Sequence, residues 1–164
     1  MRDYLEKIDL TKAVRYLLFM FMTLMAPNML FSHIRPMNVC PMVLPAVAVA
    51  VGMFEGATWG AVFSLIMGIF ADMAFIENTV TFTVLFPLLA FGSGFLAQFY
   101  FNRRFFAFMG SALLALLITG FVQMLLVAAK DAFSMGMLST VALQTLWSLP
   151  FSVLAYLPPA RWIN

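Results

Sequence analysis

Long apolar runs separated by short polar breaks define the chain. The first run covers 14–33, interrupted mainly by Thr23, Asn28 and Ser32, with Pro27 placed to kink or end it. The second covers 37–54. It contains Pro41 and Pro45, so its first half is expected to be distorted or extended before a regular stretch from Ala46 to Phe54, and a re-entrant or broken helix fits that pattern as well as a continuous one. A third run, 57–76, is interrupted by Asp72, and a fourth, 80–101, contains Pro87. The fifth, 105–129, is closed by Lys130 and Asp131, and the sixth, 137–157, ends at Pro158 and Pro159. A helix crosses the hydrocarbon of a bilayer with roughly 20 apolar residues. The pattern therefore predicts an all-α, polytopic integral membrane bundle of about six transmembrane helices filling residues 14–160. Residues 1–13 form a charged lead, with helical spacing of Tyr4, Leu5 and Ile8 that suits either the membrane surface or a frayed, solvated helix start. Residues 161–164 are a short tail.

Composition sharpens this picture. Of 164 residues 64% are hydrophobic and 10% charged, and mean hydropathy is +1.00, which a soluble domain of this size could not bury. The spans use nearly the whole chain, so no extramembrane enzyme domain is expected. The net charge of +2 and pI near 8.9 do not indicate a nucleic-acid binder, because the basic residues sit at span ends. With six spans, Arg2, Lys7, Lys12, Arg15, Arg103, Arg104 and Arg161 fall on one side, and only Arg35 and Lys130 on the other. The positive-inside rule then places both termini in the cytoplasm. Tyr100, Tyr156 and Trp162 suit an aromatic belt at that interface. The opening sequence has no cleavage signal at the usual distance, so the first run reads as a retained span.

The chemistry on offer is sparse. A single cysteine, Cys40, and a single histidine, His33, give no multi-residue metal site. There is no nucleophile with a base in a recognisable arrangement and no phosphate loop of the GxxxxGK[ST] form. Neither an enzyme nor a cofactor is expected. Gln98, Asn102, Gln123 and Gln144 lie in or beside spans, where amides serve chiefly as interhelical glue.

The most informative feature is a row of small residues four apart: Gly52, Gly56, Gly60, Ser64 and Gly68, ending at Asp72. Positions four apart lie close together on a helix, the row turning by about 40° at each step. Small residues at this spacing let a second backbone approach, a main source of helix association in lipid. The row serves either packing within the bundle or an interface with another membrane protein. Asp72 is the one ionisable residue well inside a predicted span, and a carboxylate at membrane depth needs compensation. Water, a backbone amide, Arg35 or a cation on another subunit would each provide it, and Arg35 is the preferred partner within the chain.

The layout resembles the rod shape-determining MreD family of bacterial membrane proteins. The resemblance rests on length, on about six spans with little else, on Arg35 and Pro36 entering the second span, and on the run Gly60, Ser64, Gly68 and Asp72. The chain departs from the family at Glu77, Asn78 and Thr79, where members usually carry a small-residue turn. The resemblance implies a non-enzymatic scaffold of the inner membrane that binds the bitopic protein MreC. Through it the scaffold would support a SEDS glycosyltransferase and a penicillin-binding transpeptidase in peptidoglycan synthesis. The family fold is also similar to the S component of energy-coupling-factor vitamin transporters, which supplies the alternative function. That alternative requires a ligand pocket on the external side, where His33, Arg35, Asp72, Glu77, Asn78 and Thr79 are expected.

Overall fold

Hydrocarbon offers no hydrogen-bond partners, so a chain within it must satisfy its own backbone, and this one does so with α-helices. The structure, a computed structural model, describes residues 10–29, 42–74, 80–99, 105–130 and 134–162. Within them run α1 (Leu10–Met29), α2 (Leu44–Glu55), α3 (Ala57–Ala74), α4 (Thr81–Phe99), α5 (Phe105–Lys130) and α6 (Met135–Trp162). Helices α3 to α6 are each long and apolar enough to cross a membrane. The protein is an all-α, multi-pass membrane bundle.

Contacts at the helix ends fix the direction of each element. Tyr16 of α1 meets Glu55 at the end of α2, and Phe54 meets Tyr156 near the end of α6, which in turn stacks edge-on against Phe105 at the start of α5. The space at Gly56 borders Gln98 near the end of α4. One end of the bundle, the near end, thus gathers the start of α1, the α2–α3 turn, the end of α4, the start of α5 and the end of α6. Successive helices alternate in direction.

The shortest helix occupies the centre. With 12 residues, α2 is about 18 Å long, less than the roughly 30 Å of a hydrocarbon core. Every residue from Leu44 to Phe54 is buried. Helices α3, α4, α5 and α6 pack around it, and α1 covers it lightly. A helix apolar on all sides belongs in an interior, and its alternating Ala and Val residues keep it slim enough to be surrounded. The regular helix starts at Leu44, close to the expected Ala46; residues 37–41 lie outside the described part. Pro45 falls in the first turn, where a missing N–H breaks no helical bond. The preceding Met42 N–H donates to Ser148 Oγ of α6 at 2.8 Å, and that hydroxyl donates to Gln144 O at 2.7 Å.

The sixth helix also differs from expectation. It continues through Pro158 and Pro159 to Trp162, with Pro150 inside it as well. Proline's fixed φ is helical, and each one forfeits a single backbone bond, a loss that neighbouring packing tolerates in membrane helices. Ala155 and Pro159 are buried at this end, and Tyr156 is held in an aromatic cluster with Phe54, Phe105 and Phe108. Tyr156 is thus half-buried in packing between helices. The outer surface carries large apolar side chains, among them Leu88, Phe106 and Met135, as suits a lipid-facing bundle.

Ser148→Ala would leave the buried Met42 N–H without a partner, which costs about 1–3 kcal/mol. A lower thermal midpoint in detergent is the expected outcome, and a midpoint equal to wild type would show the contact to be dispensable.

Candidate functional site

The small-residue row does not lie along one helix. It is folded in two at Gly56, which caps α2 with φ +97°, a backbone conformation that side-chain-bearing residues rarely adopt. Gly56 N–H donates to Gly52 O at 3.1 Å, and Gly60 N–H donates to Gly56 O at 2.9 Å. The chain reverses through these bonds, so Gly52 on α2 and Gly60 on α3 meet face to face. A methyl group on Gly60 would run into the Cα of Gly52.

Each of the other glycines in the seam faces backbone as well. A Cβ on Gly52 would collide with the carbonyl oxygen of Ala90 on α4 and lie 2.8 Å from Ser93 Oγ. On Gly68 it would lie 2.8 Å from the Cα of Thr83, in the first turn of α4. Gly94 of α4 completes the arrangement, since a Cβ there would lie 2.6 Å from Gly52 O and 2.7 Å from Ala57 Cα. Backbone cannot yield as a flexible side chain can. At Gly52, Gly60 and Gly68 the row is therefore occupied by this chain's own helices α2, α3 and α4. Ser64 is fully buried in the same seam, and its hydroxyl has no partner among the described residues.

Asp72 sits one turn beyond Gly68 and is partly exposed. Its Oδ1 accepts the Phe82 N–H at 3.1 Å, and its Oδ2 accepts the Thr83 N–H at 2.7 Å and the Thr83 hydroxyl at 2.6 Å. Phe82 and Thr83 are the second and third residues of α4, whose first-turn N–H groups have no intrahelical partners. The carboxylate thus caps α4 from α3, at the positive end of the α4 dipole, where a negative charge is favoured. Of the compensating partners expected for Asp72, backbone amides are the ones present among the described residues. Arg35, the preferred partner, lies outside them, as do His33, Glu77, Asn78, Thr79, Arg103 and Arg104.

Two elements escaped the sequence reading. Gly94 is one; its signal was the four-residue spacing from Ala90, which repeats on α4 the small-residue rule found on α3. The second is the hydrogen bond from Tyr16 Oη to Glu55 Oε1, 2.6 Å long. Nothing in a single sequence pairs residues so far apart along the chain. Elsewhere, Ser111, Thr119, Thr145 and Ser152 spend their hydroxyls on carbonyls of their own helices. No cluster of three or more His, Cys, Asp or Glu forms among the described residues.

Fold and seam together define a close-packed helical membrane bundle in which, among the described residues, Asp72 caps a helix and glycines seat backbones. Neither a protein-family model, nor a curated protein sequence, nor a solved structure matches the chain.

Gly60→Leu and Gly68→Leu should each destabilise the bundle by about 3 kcal/mol or more, since overpacking at these positions is against backbone. Gly92 and Gly110 face open space, and leucine at either should leave the detergent elution profile unchanged. Equal tolerance at all four sites would remove the seam from the packing. Asp72→Asn retains one acceptor and should lose about 1 kcal/mol, whereas Asp72→Leu strands both α4 amides and should lose more. Thermal unfolding of the two variants in one detergent measures the difference.

Proposed function

We propose that the protein is a non-enzymatic scaffold subunit of a bacterial membrane assembly, of the kind its resemblance to the MreD family implies. The observation that carries this reading is the way the described polar residues are spent. Asp72 holds the start of α4, the hydroxyls of Ser111 and Thr119 bond to their own helix, and Gly52, Gly60 and Gly68 seat backbones. Two surface grooves support it further. One, between α5 and α6, is lined by Leu117, Ile118, Phe121, Leu138 and Val141, and the other, between α4 and α5, by Val84, Leu85, Leu88 and Val122. Both are apolar, as suits lipid or a transmembrane helix and not a polar small molecule. In lipid, recognition between proteins proceeds through such helix faces.

On this reading the chain resides in the inner membrane with both termini in the cytoplasm, where the positive-inside rule puts its Lys and Arg-rich ends. Its partner is a bitopic protein of MreC type, and through it a SEDS glycosyltransferase and a penicillin-binding transpeptidase of the cell-elongation machinery. Since the glycine seam is taken up inside the bundle, such a partner engages the outer helix faces.

The test is extraction of the tagged chain from its native membranes in mild detergent, with identification of everything that accompanies it. A bitopic periplasmic scaffold together with cell-wall synthases is the expected set. Recovery of a vitamin-like ligand and an ATPase module in their place would contradict the reading and assign the chain to the S components.

A further inference from the structure

Buried hydroxyls in this bundle follow one habit. Thr23, Ser93, Thr119, Thr145, Ser148 and Ser152 each donate to a carbonyl three or four residues back on their own helix, at 2.6–3.0 Å. Ser64 is buried as completely as any of them and does not: its Oγ has no partner among the described residues. A hydroxyl removed from water and left unbonded is costly, so what it faces matters.

The register of the seam answers that. A Cβ on Gly68 would lie 2.8 Å from Thr83 Cα, and one on Gly94 would lie 2.7 Å from Ala57 Cα. Helices α3 and α4 run antiparallel, and these two contacts bracket Ser64, which falls opposite Pro87. The Gly60–Gly52 contact, one turn away, likewise sets Ser64 opposite Ala48 of α2. Ala48, Met67 and Phe86, at the same depth, are fully buried. Helix α4 runs through Pro87, which has no N–H to give. The carbonyl that an N–H at this position would meet is that of Thr83, one turn back. Carbonyls in a helix point along its axis, so Thr83 O lies beneath Pro87 on the face of α4 turned to α3. An acceptor deprived of its helical donor and a donor with no acceptor thus sit on facing helices at one depth.

We propose that one ordered water is bound in the seam between Ser64 and Pro87, taking the Ser64 hydroxyl proton and donating to Thr83 O. Proline is tolerated in membrane helices where neighbouring side chains and ordered waters meet the carbonyls it frees. Buried water is held by polar groups that otherwise lack partners, and this pair meets that condition. Direct contact does not link them, since Ser64 Oγ reaches no described acceptor. The α3–α4 seam is then closed by backbone contact at Gly68 and Gly94 and by a water bridge between them. The inference does not depend on the scaffold reading.

Crystals of the full chain grown from a lipidic mesophase, diffracting far enough to show ordered water, provide the test. Wild type should show one water within hydrogen-bond distance of both Ser64 Oγ and Thr83 O. Ser64→Ala and Pro87→Ala should each lose it, the first by removing the donor and the second by giving Thr83 O an N–H from its own helix. A wild-type map without that water, as when Ser64 Oγ turns onto Gly60 O, would overturn the site. A water that persists in Pro87→Ala would overturn the Thr83 carbonyl as its partner. Thermal midpoints in detergent read the same pairing: Ser64→Ala should lower the midpoint with Pro87 present and leave it unchanged in a Pro87→Ala background. Equal shifts in the two backgrounds would contradict the bridge.

Discussion

Close approach of backbones is the condition on which this bundle depends. In water, apolar helices are driven together by the solvent, but in a bilayer a leucine gains little by exchanging an acyl chain for another helix. Cohesion must come from dense contact, and contact is densest where no side chain intervenes. Gly52 marks that place: α3 meets it at Gly60, and α4 approaches it at Ala90 and Gly94. The short central helix, too brief to span the hydrocarbon by itself, is held because longer helices close on it from nearly all sides.

The remaining polar features follow from that arrangement. Drawing α4 against Gly68 places its first turn beside the end of α3, and Asp72 then receives the N–H groups that α4 cannot bond internally. With α2 beginning at Leu44, the Met42 N–H lies ahead of it, and Ser148 in the middle of α6 accepts that amide. In each case an otherwise unsatisfied backbone group within the membrane is met by a side chain from the neighbouring helix, which is what a dry environment requires. A carboxylate used in this way stabilises a helix start.

Much of this was legible in the sequence. The apolar runs marked out six helices, and the prolines of the second run pointed to regular helix beginning near Ala46, because helix length and hydropathy are dictated locally by the bilayer. The four-residue spacing of Gly52, Gly60, Ser64 and Gly68 identified the packing seam for the same reason. Its shape was not legible: a glycine inside a row of glycines reads as one more small residue, and only a positive φ at Gly56 reveals that the row doubles back. The extension of α6 past Pro158 was hidden because tertiary packing overrides a local breaker. The Tyr16–Glu55 pair was hidden because its two members belong to different helices, and helical spacing carries no information between helices. Function drew on even less, since Asp72 and most of the described hydroxyls are spent on the backbone of the bundle itself.

The smallest perturbation of the seam tests the account most directly: the thermal unfolding midpoint of Gly52→Ala in mild detergent, measured beside wild type. One methyl group, directed at the Ala90 carbonyl, should lower the midpoint sharply and broaden the elution profile, because neither backbone has room to withdraw. A midpoint equal to or above wild type, as expected for alanine replacing glycine in an unconstrained helix, would contradict the dependence of the bundle on backbone contact at Gly52.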